Sequence, residues 1–226
     1  MKRKLIKELV FKKRVDFLAI QESKLEVVTE SVRQSLWGGD CDWAFLPVVG
    51  NSGSIISIWR KSDSNLLFSF VGEGFVGVCL EWGRNKDRCF VVNIYSKCDL
   101  AAKHRLWANL VLIKNTFGDG KWCMVGDFNA ATHMDERRGV NSVVSSSMTT
   151  EINFFNSFVF DVDLFDVPPL GRKFTWYHAS GTSMSCIERA FISEGWSRCW
   201  GNATLWVLPR NILDHCPLVL KYGNMD

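Results

Sequence analysis

Apolar positions along the chain alternate between two spacings, and the alternation sketches the elements. In residues 2–14, Leu5, Ile6, Leu9 and Val10 recur three and four apart with lysines opposite, which predicts a helix. Asp16 to Gln21 reads as a short, mostly buried strand, and 24–36 as a second helix. Residues 43–49 and 54–59 are predicted strands around the turn-rich stretch 50–53, and 75–82 and 89–95 form another pair across 83–87. Leu106, Leu110 and Ile113 put one apolar face on a helix over 100–117, and 122–126 is a short apolar strand. The polar, Ser-rich stretch 136–149 is expected to be a surface loop. A helix over 151–160 follows, capped by Thr149 or Thr150. Short strands at 174–177, 187–192, 204–208 and 217–222 complete the chain. Strands and helices mix with no repeat, linker or composition break, so one α/β domain over 1–226 is expected.

Composition narrows the class. The chain is 47% hydrophobic and 13% aromatic, enough for a packed core and too apolar for a disordered protein. The net charge of +3 decides little, but Lys2, Arg3, Lys4, Lys7, Lys12, Lys13 and Arg14 face only Glu8 within the first fourteen residues. The eight cysteines are never closer than nine positions, which excludes C-x-x-C motifs and zinc-finger spacing. No signal-peptide pattern opens the sequence, and no stretch reaches the ~20 apolar residues of a membrane span. An intracellular protein with reduced core thiols, and no membrane association, is expected.

Four polar clusters sit just past predicted strands: Gln21-Glu22-Ser23, Asn93-Ile94-Tyr95, Gly126-Asp127-Phe128-Asn129 and Asp214-His215. Strand ends are where α/β folds gather their sites. Metal-assisted phosphodiester hydrolysis needs a carboxylate for the ion, a carboxylate to take a proton from water, amides to orient phosphate oxygens and a group that stabilises charge. Glu22, Asp127, Asn129 and the Asp214-His215 pair would supply that set. Singly, each has a plainer role. Glu22 can be a solvated charge, Gly-Asp-Phe-Asn an ordinary turn, Tyr95 a packing residue and His215 a core histidine. His104, His133 and His178 have no ligand partner at useful spacing and are read as structural.

Order and spacing together carry a resemblance. The segments FLAIQESK (17–24), VVNIYS (91–96), MVGDFNA (124–130), DERRG (135–139), FTW (174–176), IERAFIS (187–193) and LDHCPLVL (213–220) resemble the endonuclease/exonuclease/phosphatase superfamily. Within it, the sequence is most similar to the apurinic-endonuclease-like domain of plant LINE retrotransposons, over about the whole chain. The resemblance implies a DNase I-like, four-layer α/β sandwich, in which two packed mixed sheets are flanked by helices. It also implies an Mg²⁺-dependent (or Mn²⁺-dependent) endonuclease that nicks DNA, working in the nucleus, with no stable protein partner. By position, Glu22 matches the metal-binding Glu and Tyr95 a Tyr lining the phosphate site, with Asn93 beside it on the substrate. Asp127 matches the Asp that activates water, Asn129 the Asn that orients it, and Thr175 a site-lining Thr that contacts substrate. Asp214 and His215 match the terminal pair, with Asp214 a further metal ligand and His215 on the scissile phosphate. Glu22, Tyr95, Asp127, Asn129, Thr175, Asp214 and His215 are expected on one rim of the fold.

Three departures bear on activity. The family's opening strand, with a W-N-x-R-G-like motif, has no counterpart in this sequence, and marginal stability is expected from its loss. Glu188 stands where the family has an Asp supporting the catalytic His. Its extra methylene is expected to displace the imidazole, so Glu188→Asp should raise activity. Leu213 replaces a Ser before Asp214-His215. Two alternatives therefore stand beside the nuclease. One is an inactive remnant that binds nucleic acid through its basic N-terminal helix, and the other is a phosphatase of the same superfamily.

Overall fold

A computed structural model describes residues 2–48, 53–139, 146–210 and 214–223. The chain forms two compact units, Met1–Tyr95 and Ser96–Asp226.

The first unit runs α1 (Lys2–Lys13), β1 (Phe17–Ser23), α2 (Glu30–Leu36), β2 (Cys41–Leu46), β3 (Ser54–Arg60), β4 (Ser64–Gly72), β5 (Phe75–Trp82) and β6 (Asp87–Tyr95). β3 lies between β1 and β2, antiparallel to both, and β5 lies between β4 and β6 in the same way. β3 reads Ser-Ile-Ile-Ser-Ile-Trp and is buried on both faces. Side chains alternate across a strand, so Ile56 and Ile58 share a face. They pack with Val32 and Leu36 of α2, joined by Ile6 of α1 and Leu18 and Ile20 of β1. The opposite face of this sheet meets the second sheet, where β3 touches β5 and β6.

β4 has no counterpart among the expected strands. Most of its residues are exposed or half-exposed, and it hydrogen-bonds only one described neighbour, β5. Its sequence, Asn-Leu-Leu-Phe-Ser-Phe-Val, lacks the alternation of a half-buried strand at its start.

The second unit runs α3 (Leu100–Phe117), β7 (Lys121–Asp127), β8 (Arg137–Arg138), α4 (Ser146–Val162), β9 (Phe165–Asp166), β10 (Pro169–Leu170), β11 (Trp176–Tyr177), β12 (Met184–Ser185), β13 (Glu188–Ile192), α5 (Glu194–Trp200), β14 (Ala203–Val207) and β15 (Leu218–Tyr222). β13 pairs with β7 and β9, β14 with β10 and β15, and β12 with β8 and β11. An aromatic cluster holds α3 and α4 to the β7–β13 pair. The ring centroids of Phe128 and Phe191 are 5.0 Å apart, and those of Trp107 and Phe155 are 5.1 Å apart. α4 starts at Ser146, so Thr149 and Thr150 lie inside the helix and do not cap it. The expected loop also holds β8, and its residues 140–145 lie outside the described residues. α5, capped by the Ser193 hydroxyl on Trp196 N, was hidden from the pattern by its shortness.

None of the eight cysteines is joined in a disulfide, and Cys98 alone is exposed. Among the described residues, no helix is long and apolar enough to cross a membrane.

Candidate active site

In the second unit, β7 ends on Gly126-Asp127, and the chain then turns sharply. Gly126 takes φ 139°, a conformation that side chains resist, and Asn129 takes φ 50°, which asparagine tolerates better than most residues. Phe128, fully buried, anchors the turn in the aromatic cluster. The polar residues on either side of it bond to each other. Asp127 Oδ1 accepts from Asn129 N at 2.8 Å, and Asn129 Nδ2 donates to Ser96 O at 2.7 Å.

Glu188 opens β13 directly opposite Asp127 in the antiparallel register. His215 forms a bridge to Trp176, and the neighbouring Tyr177 N donates to Asp214 O at 2.9 Å. These pairings bring His215 Nδ1 onto Glu188 Oε1. The longer side chain of Glu188 therefore meets the imidazole. Ligand atoms of Asp127, Glu188 and His215 all lie within 4.8 Å of one another.

Burial disfavours a charged imidazole, but the Glu188 hydrogen bond and charge outweigh it, helped by the charges of Asp127 and Asp214. The His215 pKa is pushed up to about 9. Without a metal, His215 is thus an imidazolium at neutral pH, its ring orientation set by Glu188.

Divalent-metal chemistry suits this donor set. Glu188 Oε2 is buried and has no partner among the described residues, which is costly for a carboxylate oxygen unless something else binds it. Two carboxylates favour a hard cation, and one imidazole nitrogen widens the choice to Mn²⁺ as well as Mg²⁺. Proton and metal compete, because an ion on all three groups requires neutral His215.

Thr175 is the residue that the resemblance puts in contact with substrate. It is fully buried, and its hydroxyl accepts from Ile187 N at 3.0 Å and Glu188 N at 3.3 Å. Its carbonyl accepts from Cys216 N at 2.7 Å. Thr175 is a support that ties the Glu188 strand to the His215 segment. Asn93, also expected on the substrate, is fully buried in the first unit. Its Nδ2 donates to Ile56 O at 2.9 Å and its Oδ1 accepts from Gln21 Nε2 at 2.5 Å, so it ties β6 to β3 and β1.

Glu22 and Tyr95 form a pair in the first unit, the phenol donating to the Glu22 carboxylate. A bulge sets Glu22 out. Ile20 and Ser23 face Ile56 and Ser54, so β1 carries one residue more than β3 over that span. Glu22 itself takes φ 51°, and a Cβ on Gly53 would overlap its backbone. Asp214 is exposed, and its carboxylate is not grouped with the Asp127–Glu188–His215 ligand atoms.

Lys103 and Arg137 on the Asn129 carbonyl, Glu151 between them, and Glu136 were not among the candidate site residues. Glu136 accepts from Thr132 N at 2.7 Å and pairs with buried Arg189. Lys103 did leave a trace, since it falls on the same stripe of α3 as Leu106, Trp107 and Leu110. A lysine there is seldom buried without a partner.

No protein-family model matches the sequence, and no curated protein matches it. Solved structures do. The endonuclease domain of TRAS1, a telomere-specific non-LTR retrotransposon, aligns with TM-score 0.70 and 10% identity, over 100% of this chain and 96% of that one. An endonuclease/exonuclease/phosphatase from Bacteroides vulgatus gives 0.69 and 13%, over 98% and 90%. A mannosyl-6-phosphatase from Bacteroides thetaiotaomicron gives 0.68 and 14%, over 98% and 90%. The chain has the mixed α/β, DNase I-like fold of these proteins, with several sheets flanked by helices.

Proposed function

We propose that this protein is a divalent-metal-dependent phosphodiesterase, and specifically a DNA-nicking endonuclease of the LINE retrotransposon type. One observation carries the reading: the bonded pairs Asp127–Asn129 and Glu188–His215 meet in the second unit, with ligand atoms of Asp127, Glu188 and His215 within 4.8 Å of one another.

Hydrolysis of a phosphodiester needs a deprotonated water in line with the leaving oxygen, and positive charge on the phosphate. Asp127, fixed by the Asn129 amide, is placed to accept the proton of water. The Asn129 side chain, held by the Ser96 carbonyl, fixes the geometry of that acceptor. Thr175 holds Glu188, and the Glu188 bond at Nδ1 orients His215 and leaves its other ring nitrogen, once deprotonated, to serve as a ligand. Asp127, Glu188 and His215 would hold a divalent cation, which when bound neutralises phosphate charge and makes water more acidic. Glu22, paired with Tyr95, remains a proposed metal ligand and Tyr95 a proposed phosphate contact. Asp214, exposed beside His215, is assigned to the field that raises its pKa.

The TRAS1 likeness favours DNA as substrate, while the mannosyl-6-phosphatase likeness names the rival. Supercoiled plasmid and a sugar phosphate monoester separate the two when offered to the purified chain with Mg²⁺ or Mn²⁺, and again in excess chelator. Nicking with metal, none in chelator and slow monoester turnover are expected. Turnover of the monoester alone would assign a phosphatase, and chelator-resistant nicking would overturn the metal requirement.

A further inference from the structure

Two elements of the second unit converge on one oxygen atom, the carbonyl of Asn129, and a third bridges them. Lys103 of α3 donates to it from Nζ at 2.6 Å, and Arg137 of β8 from Nη2 at 3.2 Å. Glu151 of α4 bridges the two cations, with Oε2 2.9 Å from Lys103 and Oε1 2.6 Å from Arg137. The Lys103 side chain is only 3% exposed, and those of Arg137 and Glu151 about 15%.

We propose that Lys103, Arg137 and Glu151 are positioning residues that act through Asn129. Desolvating two cations against one carboxylate is expensive, and buried ion networks add little stability over well-packed apolar residues. Apolar side chains could fill the space between α3 and α4, but they could not orient a peptide. The network does. With its carbonyl clamped by two charged donors, the Asn129 peptide keeps its left-handed φ of 50°. In that state its N–H meets Asp127 Oδ1, and its side chain reaches the Ser96 carbonyl. Released, the residue relaxes towards ordinary φ values, and the N–H bond that aims the Asp127 carboxylate is lost together with the side-chain bond to Ser96. The two cations therefore fix the reacting carboxylate from behind, without touching substrate.

The catalytic half of this inference rests on the proposed phosphodiesterase activity, so two readouts are needed. The first is independent of activity: amide hydrogen exchange of the ¹⁵N-labelled full chain, comparing wild type with Lys103→Met. Exchange at the Asn129 amide should speed up by about tenfold or more, while amides of the β7–β13 pair keep their rates. The second is steady-state nicking. Lys103→Met should lower kcat by about 10- to 100-fold with KM within about twofold. Adding Lys103→Met to Asn129→Ala should cost nothing further, because the lysine acts through that residue. Glu151→Gln, which keeps size and shape, should show the same pattern if Lys103→Met does not fold. Unchanged exchange at Asn129, or losses that multiply in the double variant, would overturn the inference. Inactive wild type would remove the function reading alone, and the exchange measurement would still decide the clamp.

Discussion

Replacing Thr175 by valine tests how the site is assembled, because it exchanges a hydroxyl for a methyl at nearly constant volume. Thr175 is fully buried, so no solvent can replace the lost oxygen. Two amide donors would lose their acceptor, Ile187 N at 3.0 Å and Glu188 N at 3.3 Å. An unsatisfied buried donor costs about 1–3 kcal/mol, and the longer bond contributes less. The expected loss is about 2–4 kcal/mol, a large part of the ~5–15 kcal/mol that stabilises a domain. Urea unfolding followed by tryptophan fluorescence reads it. With slopes of about 1–3 kcal/mol per molar, the midpoint should fall by about 1 M or more. Thr175→Ser keeps the oxygen and loses only a methyl, so it should cost about 1 kcal/mol. A valine variant at least as stable as the serine variant would refute the assignment of Thr175 as an acceptor for those amides.

Other expectations follow from the same geometry. In chelator the folded His215 pKa of about 9 lies above its ordinary 6.5, so its contribution is complete below about pH 6.5 and lost as pH rises through 9. The wild-type urea midpoint should decline over that window and that of Glu188→Gln should not; parallel curves would refute the pairing. Mn²⁺ or Mg²⁺ should lower the His215 pKa seen by imidazole NMR, because ion and proton compete, and an unmoved titration would remove His215 from the ligand set. Sequence comparison led to the expectation that Glu188→Asp raises activity. The direct Glu188–His215 contact reverses it, since a side chain one methylene shorter falls about 1 Å short, and nicking should drop by about 10- to 100-fold. Gly53→Ala should lower the melting temperature of the protein, because the added methyl overlaps the Glu22 backbone; unchanged melting would show that the bulge yields.

What the sequence made legible follows from how each feature is encoded. β3, β5, β6, β7 and β13 are apolar runs with buried sides, and their periodicity places them within a few residues of their observed bounds. β4 escaped because its mostly exposed residues carry no burial pattern, while its pairing with β5 is non-local. The Asp127–Asn129 turn was readable because Gly126 and Asn129 supply backbone conformations that few residues accept. The burial of Thr175 and Asn93 was not readable, because their backbone partners lie 10 to 73 residues away in the sequence. Lys103 and Arg137 reach the Asn129 carbonyl from 26 and 8 positions away, and no local pattern encodes such a meeting.

Hydrolysis of phosphodiesters with a bound divalent cation is the activity proposed for the Asp127-centred cluster. Its most direct test is the single-turnover rate of plasmid nicking in Mg²⁺ or Mn²⁺ by wild type and by Asp127→Asn, with both proteins shown to unfold at the same urea concentration. Asparagine keeps the size of the side chain and removes its capacity to take a proton, so the rate should fall by at least about 1000-fold. Wild-type nicking that survives in folded Asp127→Asn would contradict the account at its base.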